Sequence, residues 1–168
     1  MTPSDAVFVY LKHLRAMERW IDKVLENAAQ RKFDADVLIG ARLAPDQLPL
    51  SAQFQAACDS AKLGVAKLSG TEPPSHPDTE KTFAELRARL GVVLAYVEPF
   101  QGSDFAGWEE RRVSHTWMGA RWIASRDYII EFAVPNFLFH VTTAYSILRH
   151  NGVPLGKADF IAPLTLHG

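Results

Sequence analysis

Cysteine occurs once in this chain of 168 residues, at Cys58, which excludes an intrachain disulfide. Nowhere do about 18 apolar residues follow one another, so no membrane-spanning helix is expected. The N-terminus has no basic stretch leading into an apolar core, and no secretory leader is expected. Neither charge dominates: 18 Lys and Arg face 19 Asp and Glu, a net charge of -1. That balance argues against nucleic acid or an anionic membrane as partner. The Arg111-Arg112 pair follows Glu109-Glu110 and reads as a charge-balanced surface strand. The six histidines show neither an H-x-x-x-H nor an H-x-H spacing, so the spacing offers no metal motif. No glycine-rich phosphate loop and no serine nucleophile elbow is present. With a lone thiol and no leader, a reducing cytoplasm is the expected compartment.

What the chain does have is apolar periodicity. Hydrophobic residues make up 48% and charged residues 22%, ordinary for a globular protein. The length suits one domain, residues 1–168, able to bury roughly 70% of its unfolded surface without a disulfide or metal. The stretch Ser125 to Gly152 carries the longest signal. Ile130, Val134, Phe137, Val141, Ala144 and Leu148 recur at spacings of four and three, one apolar stripe of a helix. His140 flanks that stripe, one turn after Phe137, and points into the protein or along a pocket wall.

Three more helices precede it. Thr2-Pro3-Ser4-Asp5 supplies an N-cap, a first-turn proline and an acidic residue at the positive helix end. Tyr10, Leu14, Met17, Ile21, Val24 and Ala28 then form a stripe that fades near Gln30. Residues 31 to 49 make a long connection, with a helical turn expected near Val37 to Gly40 and extended chain through Pro45 and Pro49. The second helix spans about Leu50 to Leu68, with Leu50, Phe54, Ala57, Ala61, Val65 and Leu68 on one face and Gly70 as its stop. Its small residues Ala56, Ala57, Ala61, Gly64 and Ala66 let a neighbour approach closely. Asp78 or Thr79 is expected to cap a third helix, in which Phe83, Leu86, Leu90, Val93 and Val97 repeat. Residues 108 to 123 read as a short hairpin: Arg111, Val113, His115 and Trp117 on one face, Met118-Gly119 at the turn. The tail from Val153 is expected to pack as irregular chain. Four helices of this length make an all-α bundle.

This order of elements, with the run PNFLFHVTTAYSILRHNG, resembles the DinB/YfiT-like superfamily of metalloenzymes. It looks most like a branch catalogued only as a domain of unknown function, through ARLAPDQLPL (41 to 50), ACDSAK (57 to 62), the run Thr82-Phe83-Ala84-Glu85-Leu86, and the PNFLFH to LRHNG segment. The resemblance implies a four-helix bundle with a long connection between helices 1 and 2 and a small β-hairpin before helix 4. It also implies a dimer. Metal-dependent members include thiol-using transferases and isomerases. Their metal site takes one histidine from the second helix and two from the fourth, four residues apart. His140 matches the first of that pair, but Ala144 stands at the next position and the second helix has no histidine. A transition metal wants three or four donors, so the chain is expected to carry no metal and no cofactor.

The candidate site residues are therefore those of a pocket: His140, Asp59, Thr143, Arg42 and Tyr10. His140 either lines the pocket or is a partly buried histidine with a hydrogen-bond partner. Asp59 either holds a ring nitrogen of His140, or pairs with Arg42, or makes an ordinary helical pair with Lys62. Thr143 offers a hydroxyl to the pocket or bonds back to a carbonyl one turn earlier. His150 and Arg149 suit the negative end of their helix. His13 and His115 read as packing residues, and Cys58 as a small buried side chain with no histidine nearby in sequence to activate a thiolate. Three functions stay open: a small-molecule-binding bundle, a metal- or thiol-dependent transferase re-formed around His140 and Asp59, and a structural or dimerisation module. What lies within hydrogen-bond reach of His140 separates them.

Overall fold

The structure, a computed structural model, describes residues 1–161 and 163–167. Four long helices carry the stripes. α1 (Pro3–Arg31) begins with a complete capping box: Thr2 Oγ1 accepts from the Asp5 N–H and Asp5 accepts from the Thr2 N–H. Its six predicted stripe residues are all buried. A 3-10 turn (Ala35–Gly40) breaks the connection that follows, where a helical turn is expected. α2 (Leu50–Ser69) ends at Gly70, whose φ of 79° is the left-handed conformation that closes a helix. α3 (Phe83–Val97) starts later than Asp78 or Thr79. Thr82 and Glu85 form its capping box, because Asp78 is drawn away to Arg89.

The fourth helix is the one irregular rod. Ser125–Asp127, a π-helical segment Tyr128–Ala133 and the regular helix Val134–His150 follow one another at right-handed helical angles, together termed α4. The wide turns fall just before Pro135. A proline has no N–H for the carbonyl four residues back and its ring crowds that carbonyl, so the ladder opens there. The extra residue changes the phase. The regular stripe Val134, Phe137, Val141, Ala144 and Leu148 is buried as expected, but its start is not Ile130, which is 49% exposed. Ile129, five residues before Val134 rather than four, is fully buried in its place.

The helices pack in the ring α1, α3, α2, α4, with α2 against α4 the most extensive contact. One apolar cluster runs from Ala6 to Leu155, centred on Trp20, Tyr10, Phe54, Phe83 and Phe137. Each large side chain so buried contributes roughly 1.5–3 kcal/mol. The hairpin before α4 exists but is minimal: β1 (Arg112–Val113) pairs antiparallel with β2 (Ile123–Ala124), Val113 opposite Ile123. A 3-10 turn (Thr116–Met118) and Gly119 carry the chain between them. The tail is not wholly irregular: α5 (Lys157–Ile161) brings Phe160 against His13, Trp20 and Tyr145, an aromatic contact across the chain ends. Among the described residues no helix is long and apolar enough to cross a membrane.

Candidate functional site

Small residues let α2 and α4 approach closely, and polar side chains bridge the seam between them. Gln53 on α2 is 1% exposed and fully engaged. Its Nε2 donates to the Leu48 carbonyl at 3.1 Å, so its Oε1 accepts from His140 Nδ1–H at 2.8 Å. That bond fixes the His140 tautomer. Burial pushes the His140 pKa down, so the ring is neutral at pH 7. Further along the seam, Asn136 Nδ2 donates to Ser60 Oγ at 2.8 Å, and Ser60 donates to the Ala56 carbonyl.

Beyond this second bridge the seam opens into a cleft of about 220 Å³. Ala56, Asp59, Ser60 and Leu63 line it from α2; Tyr128, Phe132, Ala133 and Asn136 line it from α4; His115 closes it from the hairpin. The π-helical segment thus contributes three of the wall residues. Phe132 and Tyr128 lie against the His115 ring at 5.1 and 5.7 Å between centroids, and exposed Trp117 stacks on His115 at 6.0 Å and also meets Phe132 at 5.7 Å. The His115 pKa is held down, first by burial and then by the charge of Lys67.

Behind the cleft lies a charge cluster. Arg89, its side chain 1% exposed, projects from the core face of α3. It donates to Asp59 Oδ1 at 2.7 Å, to Glu80 at 3.0 Å and to Asp78 at 2.5 Å. Lys62 adds a second cation to Asp59 Oδ1 at 2.8 Å and donates to His76 Nδ1 at 2.9 Å. A buried guanidinium is tolerable only when its charge is matched in this way. The cluster ties the loop between α2 and α3 to both helices.

The residues singled out from the sequence separate in space. Asp59 lines the cleft, but it meets neither His140 nor Arg42; Arg89 and Lys62 hold it instead, because a buried cation outcompetes a neutral ring. His140 stands one turn beyond Asn136, on Gln53. Thr143 is buried and donates to the Phe139 carbonyl of its own helix. Arg42 is exposed and holds the Gln47 carbonyl. Tyr10 is fully buried, its hydroxyl pressed against Gly64 and, among the described residues, without a hydrogen-bond partner. Asn136, Ser60, His115, Tyr128 and Phe132 were not anticipated as wall residues. The one available signal was Arg89, a charge between Leu86 and Leu90 on an apolar face.

The metal centre implied by the resemblance can be tested against these residues. His140 donates Nδ1–H to Gln53 and keeps Nε2 as its single possible ligand atom, but Ala144 is buried and offers no donor, and Thr143 is spent on its own backbone. Among the described residues no three His, Cys, Asp or Glu side chains are grouped to hold an ion. The residues present do not fit a three-histidine centre. Cys58 does not replace it: the thiol is fully buried and its pKa is pushed up to about 12 by burial.

Comparison with known proteins places this geometry. The model of a family described as a domain of unknown function, DUF1993, matches residues 4–161. A crystal structure of a DinB family member protein from Shewanella denitrificans is 39% identical, superposes with a TM-score of 0.93, and the match covers 100% of this chain and 99% of that one. No curated protein matches.

Proposed function

Because the chain belongs to the DUF1993 family and has the fold of DinB family proteins, we propose that it is a small-molecule-binding bundle whose site is the α2–α4 cleft. One observation carries this reading. Where metal-dependent relatives would place ligands, His140 is bound to Gln53, while the next opening along the same seam is walled by aromatic rings and polar groups. A concave, mostly apolar site with a few polar groups is the usual form of a small-ligand pocket. The partner of His140 is an amide and not a carboxylate, which disfavours a transferase re-formed around His140 and Asp59. The cleft disfavours a purely structural module.

The test is a fragment screen by ligand-observed NMR, with hits mapped on backbone amide shifts. Hits should move Ser60, Leu63 and Asn136 and vanish in Leu63→Trp, which fills the cleft. Hits that ignore this substitution would refute the assignment.

We extend the reading to assembly and compartment. A homodimer is proposed, because Phe8, Trp117, Trp122, Ile130 and Phe139 are large apolar side chains between 49% and 62% exposed. Light scattering at micromolar concentration tests it. The lone buried thiol is compatible with a reducing cytoplasm, and the continuous core supports treating residues 1–168 as one unit.

A further inference from the structure

We infer that the cleft selects ligands carrying a flat ring with a cationic, multiply N–H-donating group, such as an aryl amidine or an amino-heterocycle. This rests on the cleft being the binding site, and it concerns what enters. The inference comes from the polar atoms the fold leaves unused. Both cations that hold Asp59 go to Oδ1, and among the described residues nothing donates to Oδ2. The Asp59 side chain is 33% exposed and lines the cleft, so an acceptor oxygen remains on offer. Asn136 uses its Nδ2 on Ser60, and among the described residues its Oδ1 has no donor. His115 Nε2 is buried with no partner among the described residues. In the tautomer carrying hydrogen on Nδ1 it too is an acceptor.

Two unused acceptor atoms, and a third in that tautomer of His115, thus belong to side chains that line one cleft. Of these, His115 Nε2 is buried, and a buried polar atom is almost always hydrogen-bonded, so it asks for a partner from outside the chain; the Asp59 and Asn136 oxygens are not buried and stay open to the same ligand. The charge points the same way. Behind Asp59, Arg89 and Lys62 face three carboxylates, Asp59, Asp78 and Glu80, which leaves one net negative charge. His76 adds none while it accepts from Lys62. Lys67 is an opposing charge, and it acts on His115. The walls set the shape. Phe132, Tyr128 and His115 give ring faces and edges against which a flat group can pack, and a cation beside such rings gains further attraction. An anionic ligand would meet the like charge of the Asp59 carboxylate.

Three probes of nearly one shape separate the terms: benzamidine, a cation; benzamide, neutral; and benzoate, an anion. Each is titrated into isotopically labelled protein, and the amide shifts of Asp59, Ser60, Asn136 and His115 are followed. Benzamidine should shift these resonances saturably. Benzamide should bind at least about tenfold more weakly, the worth of one charge-assisted hydrogen bond, and benzoate should not bind. Asn136→Leu should weaken benzamidine and leave the fold intact. Asp59→Asn should abolish the preference for benzamidine over benzamide; should that variant not fold, Asn136→Leu carries the test alone. Equal shifts from benzamidine and benzamide would overturn the cation selectivity while leaving the cleft as a binding site. Stronger binding of benzoate would overturn it as well. No shift from any probe, with fragment hits still mapping to the cleft, would overturn the ligand class alone. No shift from probes and fragments alike would remove both.

Discussion

Replacing His140 by alanine tests the one polar bond that stands where a metal site would be. The wild-type bond joins His140 Nδ1–H to Gln53 Oε1 at 2.8 Å, and Gln53 is 1% exposed. Alanine cannot replace the donor, and Gln53 is held in place by its bond to the Leu48 carbonyl. The substitution therefore costs the desolvation of an orphaned buried acceptor, roughly 1–3 kcal/mol. Some packing against the Phe139 ring goes with it. Replacing both partners with apolar residues, Gln53→Leu with His140→Phe, removes donor and acceptor together and should cost less than the two single changes combined. The assay is urea denaturation followed by circular dichroism. The midpoint should fall in His140→Ala at unchanged slope, and the double mutant should recover part of the loss. A His140→Ala midpoint equal to wild type, or strict additivity in the double mutant, would show that the bond does not hold the seam.

Other consequences follow from the same contacts. Arg89→Met leaves three carboxylates around an uncharged side chain and should destabilise the fold by about 3–5 kcal/mol in the same assay. Gly64→Ala would bring a Cβ within 2.5 Å of the Tyr10 hydroxyl; it should destabilise by about 1–3 kcal/mol, with Tyr10→Phe in the same chain relieving part of the cost. The pKa of His76 is lowered, first by burial and then by Lys62 and Arg89, with Asp59 and Glu80 opposing. The unfolded chain then takes up the proton first. Stability is full above the ordinary histidine pKa of 6.5 and falls as the pH drops through it towards the lowered folded value. His76→Gln, which can still accept from Lys62, should flatten that acid limb in melting curves recorded from pH 7.5 to 5.

Most of the fold was written in local pattern. The stripes of α1, α2 and α3, the Thr2 cap and the Gly70 stop depend on residues within a few positions of one another, so periodicity reveals them. Ile130 was misassigned because a proline five residues later widens the helix, and a fixed period cannot register an added residue. The start of α3 was misplaced because Asp78 answers to Arg89, eleven residues on and on another element. The site was less legible for the same reason. Asp59 stood out as a polar residue on an apolar helix, yet its partner Arg89 lies 30 residues away. Asn136, His115 and Phe132 share a cleft only once the hairpin folds back on α4. The family resemblance singled out His140, which lies on the α2–α4 seam, and its bond to Gln53 came from the structure.

The claim that this bundle holds a ligand cleft in place of a three-histidine metal centre is tested most directly by elemental analysis. Protein purified without a histidine tag, and its His140→Ala variant, would be assayed for transition metals, with circular dichroism as the check on folding. The account predicts no stoichiometric metal in either protein and no selective rise in wild-type melting temperature on adding zinc. One metal ion per wild-type chain, lost in His140→Ala while the fold persists, would contradict it.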